Sequence, residues 1–414
     1  MKNKSLTPEI RFKGYDDEWT ESVISEHFNL YSGTTPSRSI PDAFNGDVNW
    51  ISSGELKLHY IGETKEKLSE DVFLKSSLRL LPPNLLVIAI YGLEAAGVRG
   101  TASITSVPTT ISQACTAFIP KSIGEIGTEF LYGWYKHNGN YIGTHFAQGT
   151  KQQNLKSEII NELSVCYPKE DEQKQIGNLL RNLDKLIDDV DREISRLEKI
   201  KQASLQKMFP RPGETTPEIR FKGFAEPWHC QKAGVNFKMI NERNRPDLPV
   251  LSAFQDLRGM TPRDESGYSI SHDKANEVTS KVIYPGNFVI HLRSFQGGFA
   301  HSTYHGITSP AYTVFEISDC SKHDDYFWKI VFMSHDFIES LKTITYGIRD
   351  GRSISFDEFS SLKLCFPSKE EQQKISEYFR RINNLLLDKR KKLIKLQNLK
   401  QSCIDKMFIN TTAQ

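Results

Sequence analysis

Residues 163–176 read LSVCYPKEDEQKQI, and residues 362–375 read LKLCFPSKEEQQKI. Cys166 matches Cys365, Pro168 matches Pro367, and Glu172-Gln173 matches Glu371-Gln372. Each copy begins as a short strand that stops at its proline. Acidic residues follow, as they do where a helix opens and its dipole favours negative charge. Beyond Pro168, apolar residues fall at Ile176, Leu180, Leu183, Ile187, Val190, Ile194 and Leu197, a heptad seam. The second seam runs Ile375, Phe379, Ile382, Leu386, Lys389, Leu393 and Leu396. No Gly or Pro interrupts residues 178–209 or 369–414. Each stretch predicts a helix of ~35 residues, roughly 50 Å long at 1.5 Å per residue.

The helices carry opposite charge. Residues 182–198 hold Asp184, Asp188, Asp189, Asp191, Glu193 and Glu198 against Lys185, Arg192 and Arg196. Residues 381–397 hold Arg381, Lys389, Arg390, Lys391, Lys392 and Lys395 against Asp388 alone. One copy of each attracts and two of the second repel, which predicts an intramolecular antiparallel coiled coil. The basic run also suits a solvated face or a stripe against phosphates. Lys389, on the seam where Val190 stands in the first copy, either sets register, opens toward a partner, or sends its ammonium out to solvent.

The repeat extends further. TPEIRFKG stands at 7–14 and again at 216–223, with Trp19 and Trp228 at the same distance behind. KQASLQKMF (201–209) answers KQSCIDKMF (400–408). Fainter echoes link PNLLVIAIYG (83–92) with PGNFVIHLRS (285–294), and ACTAFIP (114–120) with AYTVFEI (311–317). Ordered echoes at several places mean a duplicated [module–helix] unit. The ends of the modules agree and their middles diverge. The expected fold is α+β, two tandem globular domains each followed by a long helix, with pseudo-twofold symmetry. Domain 1 is expected over 1–167, helix 1 over 168–210, domain 2 over 211–366 and helix 2 over 367–414.

Strands are expected at Val87–Tyr91, Ala114–Ile119, Glu162–Tyr167, Asn287–Leu292, Tyr312–Ile317 and Ser361–Phe366. Core-facing helices are expected at Glu129–Asn138 and Asp325–His335. Composition is that of an ordinary globular chain, with 38% hydrophobic and 25% charged residues in 414. A net charge of +2 leaves nucleic-acid binding to local basic patches. No apolar run reaches the ~20 residues of a membrane span, and Met1–Ser5 has no signal core behind it, so the cytoplasm is expected. The six cysteines form no C-x-x-C pair, which argues against zinc and against disulfides. Cys166 and Cys365 are expected to be buried packing thiols.

No Walker loop, H-E-x-x-H, G-x-S-x-G or Asn-Pro-Pro-aromatic motif occurs. His301 and His305 form a weak H-x-x-x-H, Gly297-Gly298 lacks a dinucleotide context, and the acidic pairs Asp16-Asp17 and Asp324-Asp325 read as solvated turns. Neither a catalytic residue nor a metal site is expected. Six loops instead mix glycine, hydroxyl, amide and basic residues: 32–39, 91–103 and 147–154 in the first module, and 254–265, 292–302 and 346–353 in the second. Glycine admits a close ligand, Arg and Lys suit guanine or phosphate, and Gln and Asn suit adenine.

PEIRFKGYDDEW (8–19), PEIRFKGFAEPW (217–228), WISSGEL (50–56), NLLVIAIYG (84–92), VIYPGNFVIHLRSFQGG (282–298) and SPAYTVFEI (309–317) are the telling stretches. With the paired YPKEDEQKQI and FPSKEEQQKI, the chain resembles the DNA-specificity (S) subunit of type I restriction–modification systems over nearly its whole length. The resemblance implies two target recognition domains that each read half of a split double-stranded DNA target. It implies helices that set the gap, and a non-catalytic subunit. It also implies two methyltransferase (M) partners and restriction/translocase (R) partners, with S-adenosylmethionine, ATP and Mg held by them and no cofactor here. No family motif assigns base contacts, so DNA-binding candidates come from loop chemistry. They are Arg38, Arg99, Gln148, Lys151, Gln152 and Asn154, then Gln255, Arg258, Arg263, Arg293, Gln296, Arg349 and Arg352. The alternatives are a coiled-coil adaptor with two protein- or carbohydrate-binding modules, and an enzyme with an unfamiliar site.

Overall fold

The computed structural model describes residues 6–121, 126–254, 258–263, 278–291, 298–344 and 354–411. The chain divides into two units, residues 1–192 with 390–414, and residues 193–389. Both expected long helices are present, each of 38 residues, Glu170–Lys207 and Lys369–Lys406. The first long helix therefore begins in unit 1 and ends in unit 2, and the second does the reverse.

Within unit 1 the pairing is antiparallel. Ile176 and Leu180, early in the first long helix, share a core with Ile404, Met407 and Phe408, late in the second. One turn on, Asp184 meets Lys400 at 2.5 Å. Unit 2 repeats the arrangement. Glu193 pairs with Lys389, and Ser204 Oγ lies 2.8 Å from the Tyr378 hydroxyl. None of the three readings offered for Lys389 named this cross-helix ion pair with Glu193, which suits an acidic helix facing a basic one. The seam is buried at Ile176, Leu180, Leu183, Val190 and Ile194, and at Ile375, Phe379, Ile382 and Leu386.

The repeated KMF closes each core. Phe408 packs on Phe130 with centroids 5.2 Å apart. Phe209 packs on Trp228 at 5.7 Å in unit 2. Such a buried aromatic side chain contributes about 2–3 kcal/mol. Gly133 explains how Phe408 comes so near, because a methyl group there would collide with the Phe408 ring and with Leu180. A mid-helix glycine costs about 1 kcal/mol in propensity, offset here by this close approach.

Each module packs small sheets beside helices. Among the described residues, the largest sheet of unit 1 has five strands in the order Phe28–Ser32, Cys115–Pro120, Leu86–Ala89, Ala102–Thr105 and Tyr60–Ile61. The largest of unit 2 has four, Phe237–Ile240, Thr313–Ile317, Phe288–Ile290 and Phe299–His301. The predicted strands appear, trimmed by a residue or more at one or both ends. The strand Phe299–His301 falls where a loop is expected. The expected helix at 129–138 runs over Thr128–His145, and the one at 325–335 stops at Phe332 before a second, His335–Ile344.

Two expectations are corrected. Cys365 is not a packing thiol but is bonded to Cys230 in a disulfide. Antiparallel register sets the two directly opposite each other with Cα atoms 4.0 Å apart. The matching register in unit 1 places Glu21 opposite Cys166, which is in no disulfide and is buried as expected. Asp324-Asp325 is not a solvated turn either. Asp324 caps a helix by accepting from Phe327 N–H at 2.9 Å, and Asp325 meets His301 Nε2 at 2.7 Å. The helix start leaves N–H groups that need such acceptors.

The twin TPEIRFKG has the same contacts in both units. Arg11 Nε and Nη2 donate to the two Glu172 oxygens at 2.9 and 2.7 Å, and Arg220 does the same to Glu371 at 2.9 and 2.6 Å. The Ile10 N–H donates to Lys406 O at 2.9 Å, and the Ile219 N–H to Lys207 O at 2.8 Å. Each strip thus joins the start of one long helix to the end of the other. Glu172 and Glu371 are essentially sealed from water, with side chains 1% and 2% exposed. Arg11→Ala strands a buried carboxylate and should destabilise unit 1 by about 3–5 kcal/mol. The double variant Arg11→Met/Glu172→Leu should recover most of that, read by hydrogen exchange of unit 1 segments. A loss in Arg11→Ala below about 1 kcal/mol, the range of exposed pairs, would show that water reaches the site.

Candidate nucleic-acid interface

In unit 1 the structure brings the loops 91–103 and 147–154 side by side. Gln148 and Asn154 exchange backbone hydrogen bonds of 2.8 and 2.9 Å, closing a tight loop between them. Leu93 N–H donates to Gln153 O at 3.1 Å, Leu155 N–H to Ile90 O at 2.9 Å, and Gln153 N–H to Glu94 Oε2 at 2.7 Å. Lys151 and Gln152 are exposed at the tip, as is Gln148 at its base, while Asn154 is half-buried.

Arg99 joins this surface. Its Nη2 donates to Gln153 Oε1 at 2.7 Å, and its stem lies over Gly143. Its Nε is buried without a hydrogen-bond partner. Arg99, Gln148, Lys151, Gln152 and Asn154 therefore form one patch. Sequence reading missed Gln153, Glu94 and Gly143, which hold the patch in shape. The string KQQN signals polarity but does not tell which glutamine turns inward.

Arg38 is engaged elsewhere, by Glu66 and Phe44. Its guanidinium spans both Glu66 oxygens at 2.7 and 2.9 Å and lies 4.6 Å from the Phe44 ring centroid. The Glu66 carboxylate holds the Arg38 pKa above its ordinary value and is itself held below its own by Arg38. Reaching a phosphate would require breaking this exposed pair, which solvent screens.

In unit 2, Arg258 is exposed and its guanidinium lies 3.9 Å from the Phe254 centroid. Arg263 is half-buried, its N–H donating to Val250 O at 3.0 Å. Gly259 lets the chain turn beside them at φ +63°. Gln255, Arg293, Gln296, Arg349 and Arg352 lie outside the described residues. The weak histidine motif is absorbed by packing: His301 bonds to Asp325, and His305 stacks on Tyr284 at 4.6 Å. Among the described residues, no cluster of His, Cys, Asp and Glu suits a metal ion. Among them, no helix is long and apolar enough to cross a membrane.

Residues 16–199 match the family described as type I restriction modification DNA specificity domain. That stretch carries a type I specificity domain. It is 27% identical over 188 residues to the type I restriction enzyme MjaIX specificity subunit of Methanocaldococcus jannaschii, covering 44% of this chain and 42% of that protein. It is 24% identical over 211 residues to the EcoR124I/EcoR124II specificity subunit of Escherichia coli, covering 49% of this chain and 51% of that protein. The chain thus spans about half the length of the curated relatives it matches. The S subunit structure from M. genitalium superposes with a TM-score of 0.63 at 14% identity, over 98% of this chain and all of that one. A second chain, solved to describe complex assembly and conformational transition of the type I R-M system, gives 0.51 at 16% identity over 94% and 97%. At such identities the likeness speaks to the fold, and it agrees with the α+β architecture and paired long helices expected of a specificity subunit.

Gly149 is the strictest point in the patch. It sits at φ +114°, and a methyl group there would collide with the Gln152 carbonyl oxygen. Gly149→Ala should open the loop at a cost of about 1–3 kcal/mol. Lys151→Ala, at the exposed tip, should stay within about 0.5 kcal/mol of the native chain. Hydrogen exchange of residues 147–155 separates the two, and equal protection in both variants would contradict the loop geometry.

Proposed function

We propose that the chain is the sequence-specific double-stranded DNA-binding subunit of a type I restriction–modification complex. Each module reads one half of a bipartite target. The observation that carries this reading is the duplication itself. Both modules have the same strip, strands and helix junctions, while the loops that differ carry the arginines, glutamines and asparagines suited to base edges. The matched DNA specificity domain over residues 16–199 supplies the ligand class.

In this reading Arg99, Gln148, Lys151, Gln152 and Asn154 face one half-site, with Arg38 at its margin. Arg258 and Arg263 face the other, together with Gln255, Arg293, Gln296, Arg349 and Arg352. Phosphate contacts position each module and base contacts specify. The domains run over 1–167 and 211–366, and the helices over 168–210 and 367–414 set the gap and dock two M subunits. R subunits complete the complex. The chain itself is non-catalytic and carries no cofactor or metal; S-adenosylmethionine, ATP and Mg belong to the partners. Adenines are flipped into the methyltransferases, in the cytoplasm where the chromosome lies.

The test is methylation mapping with the chain co-expressed with its methyltransferase. A split motif with two constant halves is expected. Arg99→Ala should relax or weaken one half-site by about 1–3 kcal/mol and leave the other unchanged. Removing one heptad from both long helices should alter only the gap. Methyl transfer by the purified chain alone would overturn the reading. Salt-insensitive DNA affinity would instead favour the adaptor, since phosphate neutralisation makes binding fall steeply with salt.

A further inference from the structure

His59 has the most heavily bonded buried side chain in unit 1 that the DNA reading leaves unused. It stands beside the strand Tyr60–Ile61 and is 7% exposed. Its Nδ1 lies 2.5 Å from Asp184 Oδ2 on the first long helix. Its Nε2 lies 2.9 Å from Glu129 Oε2 on the helix Thr128–His145. Lys400, on the second long helix, reaches the other Asp184 oxygen at 2.5 Å. The ring is stacked between Tyr60 and Tyr132, with centroids 4.5 and 4.0 Å away. The Tyr60 hydroxyl donates to the remaining Glu129 oxygen. One imidazole thus ties the module's sheet to three helices.

Ionised carboxylates only accept hydrogen bonds, so a ring bonded to one at each nitrogen must donate from both. That is the imidazolium form. The other charged groups nearby are Lys136, whose Nζ donates to Gly100 O at 3.0 Å, and Arg181, which acts on Tyr60. Burial works against charge on His59, but the hydrogen bonds to Asp184 and Glu129 outweigh it and raise the pKa above 6.5.

The described residues of unit 2 show no such arrangement. Gly127 N–H donates to Gln173 Oε1 and Asp324 N–H to Gln372 Oε1, so these positions correspond. Glu129 then answers Tyr326, and Tyr132 answers Lys329. The helix offset of the repeat sets Asp184 against Asn383 and Lys400 against Lys201. There, Asn383 Nδ2 donates to the Tyr326 hydroxyl at 3.0 Å. Beside them lies a cavity of about 80 Å³ lined by Lys201, Tyr326, Lys329 and Asn383.

We propose that His59 is a positioning residue, a protonated clasp that seats the first module on both long helices and lets go when it loses its proton, while the described residues of the second module hold no equivalent. The sign follows from linkage. A raised pKa means the clasp's stability is whole below the free-histidine value near 6.5 and is lost as pH rises through the folded value. In a chain that reads two half-sites, the first half-site would then weaken at alkaline pH before the second. That last consequence rests on the DNA reading, whereas the seating itself does not.

Hydrogen exchange of the full chain between pH 5.5 and 9, corrected for intrinsic rates, tests the clasp directly. In the native chain, the opening constant of segments around 59–61 and 129–136 should rise up to roughly tenfold per pH unit between the free and folded pKa, the limit for one linked proton. Segments around Asn383 should show no such rise. His59→Gln should abolish the slope. Asp184→Asn and Glu129→Gln each remove one acceptor and should move the break to lower pH, which decides the matter even if His59→Gln does not fold. A flat native profile, a slope surviving in His59→Gln, or an unmoved break in both carboxylate variants would each overturn the proposal.

Discussion

A buried arginine–glutamate fork holds the start of each long helix. Arg11 grips Glu172 and Arg220 grips Glu371, each through paired hydrogen bonds in near-complete burial. Such a pair is strongly destabilising when broken, because the surviving charge has no water to return to. The same strip donates from Ile10 or Ile219 to the last turn of the other long helix. Helix starts, helix ends and module openings are therefore fixed by one short segment, used twice. With those ends held, Met208-Phe209 and Met407-Phe408 enter the two cores in the same way.

Around this shared frame the two units have diverged in their interiors as well as in their loops. The second module packs phenylalanine on phenylalanine, with Phe237, Phe288, Phe315, Phe332 and Phe359 in mutual contact. The first places a charged histidine network where the second has Tyr326, Lys329 and Asn383. The Cys230–Cys365 bridge stands where the first unit has Glu21 and Cys166. Duplication has kept the surfaces that join module to helix and released the rest. That is the behaviour expected of a scaffold carrying two different readers.

Much of the fold was legible in the sequence. Heptad spacing located both long helices, because a seam must recur every 3.5 residues to stay buried. Opposite charge on the two helices anticipated that they attract, but not the particular pairs Glu193–Lys389 and Asp184–Lys400. Loop composition marked the stretch that holds Arg99 and the 148–154 turn. It did not reveal that Gln153 faces inward to Arg99 while Gln152 faces out, or that Arg38 is engaged by Glu66. Those outcomes depend on which backbone bridge closes the loop and on which distant carboxylate the fold delivers.

The sequence by itself determined the duplication and the paired helices, since each is written as local periodicity or as ordered repetition along the chain. Tertiary structure alone decided what the repeated residues do. Arg11 and Glu172 are 161 residues apart, His59 and Asp184 are 125 apart, and Asp184 and Lys400 are 216 apart. Pairing over such distances is set by how sheets and helices close on one another. No local pattern encodes it, so the disulfide, the buried forks and the histidine clasp emerged only when the chain was folded.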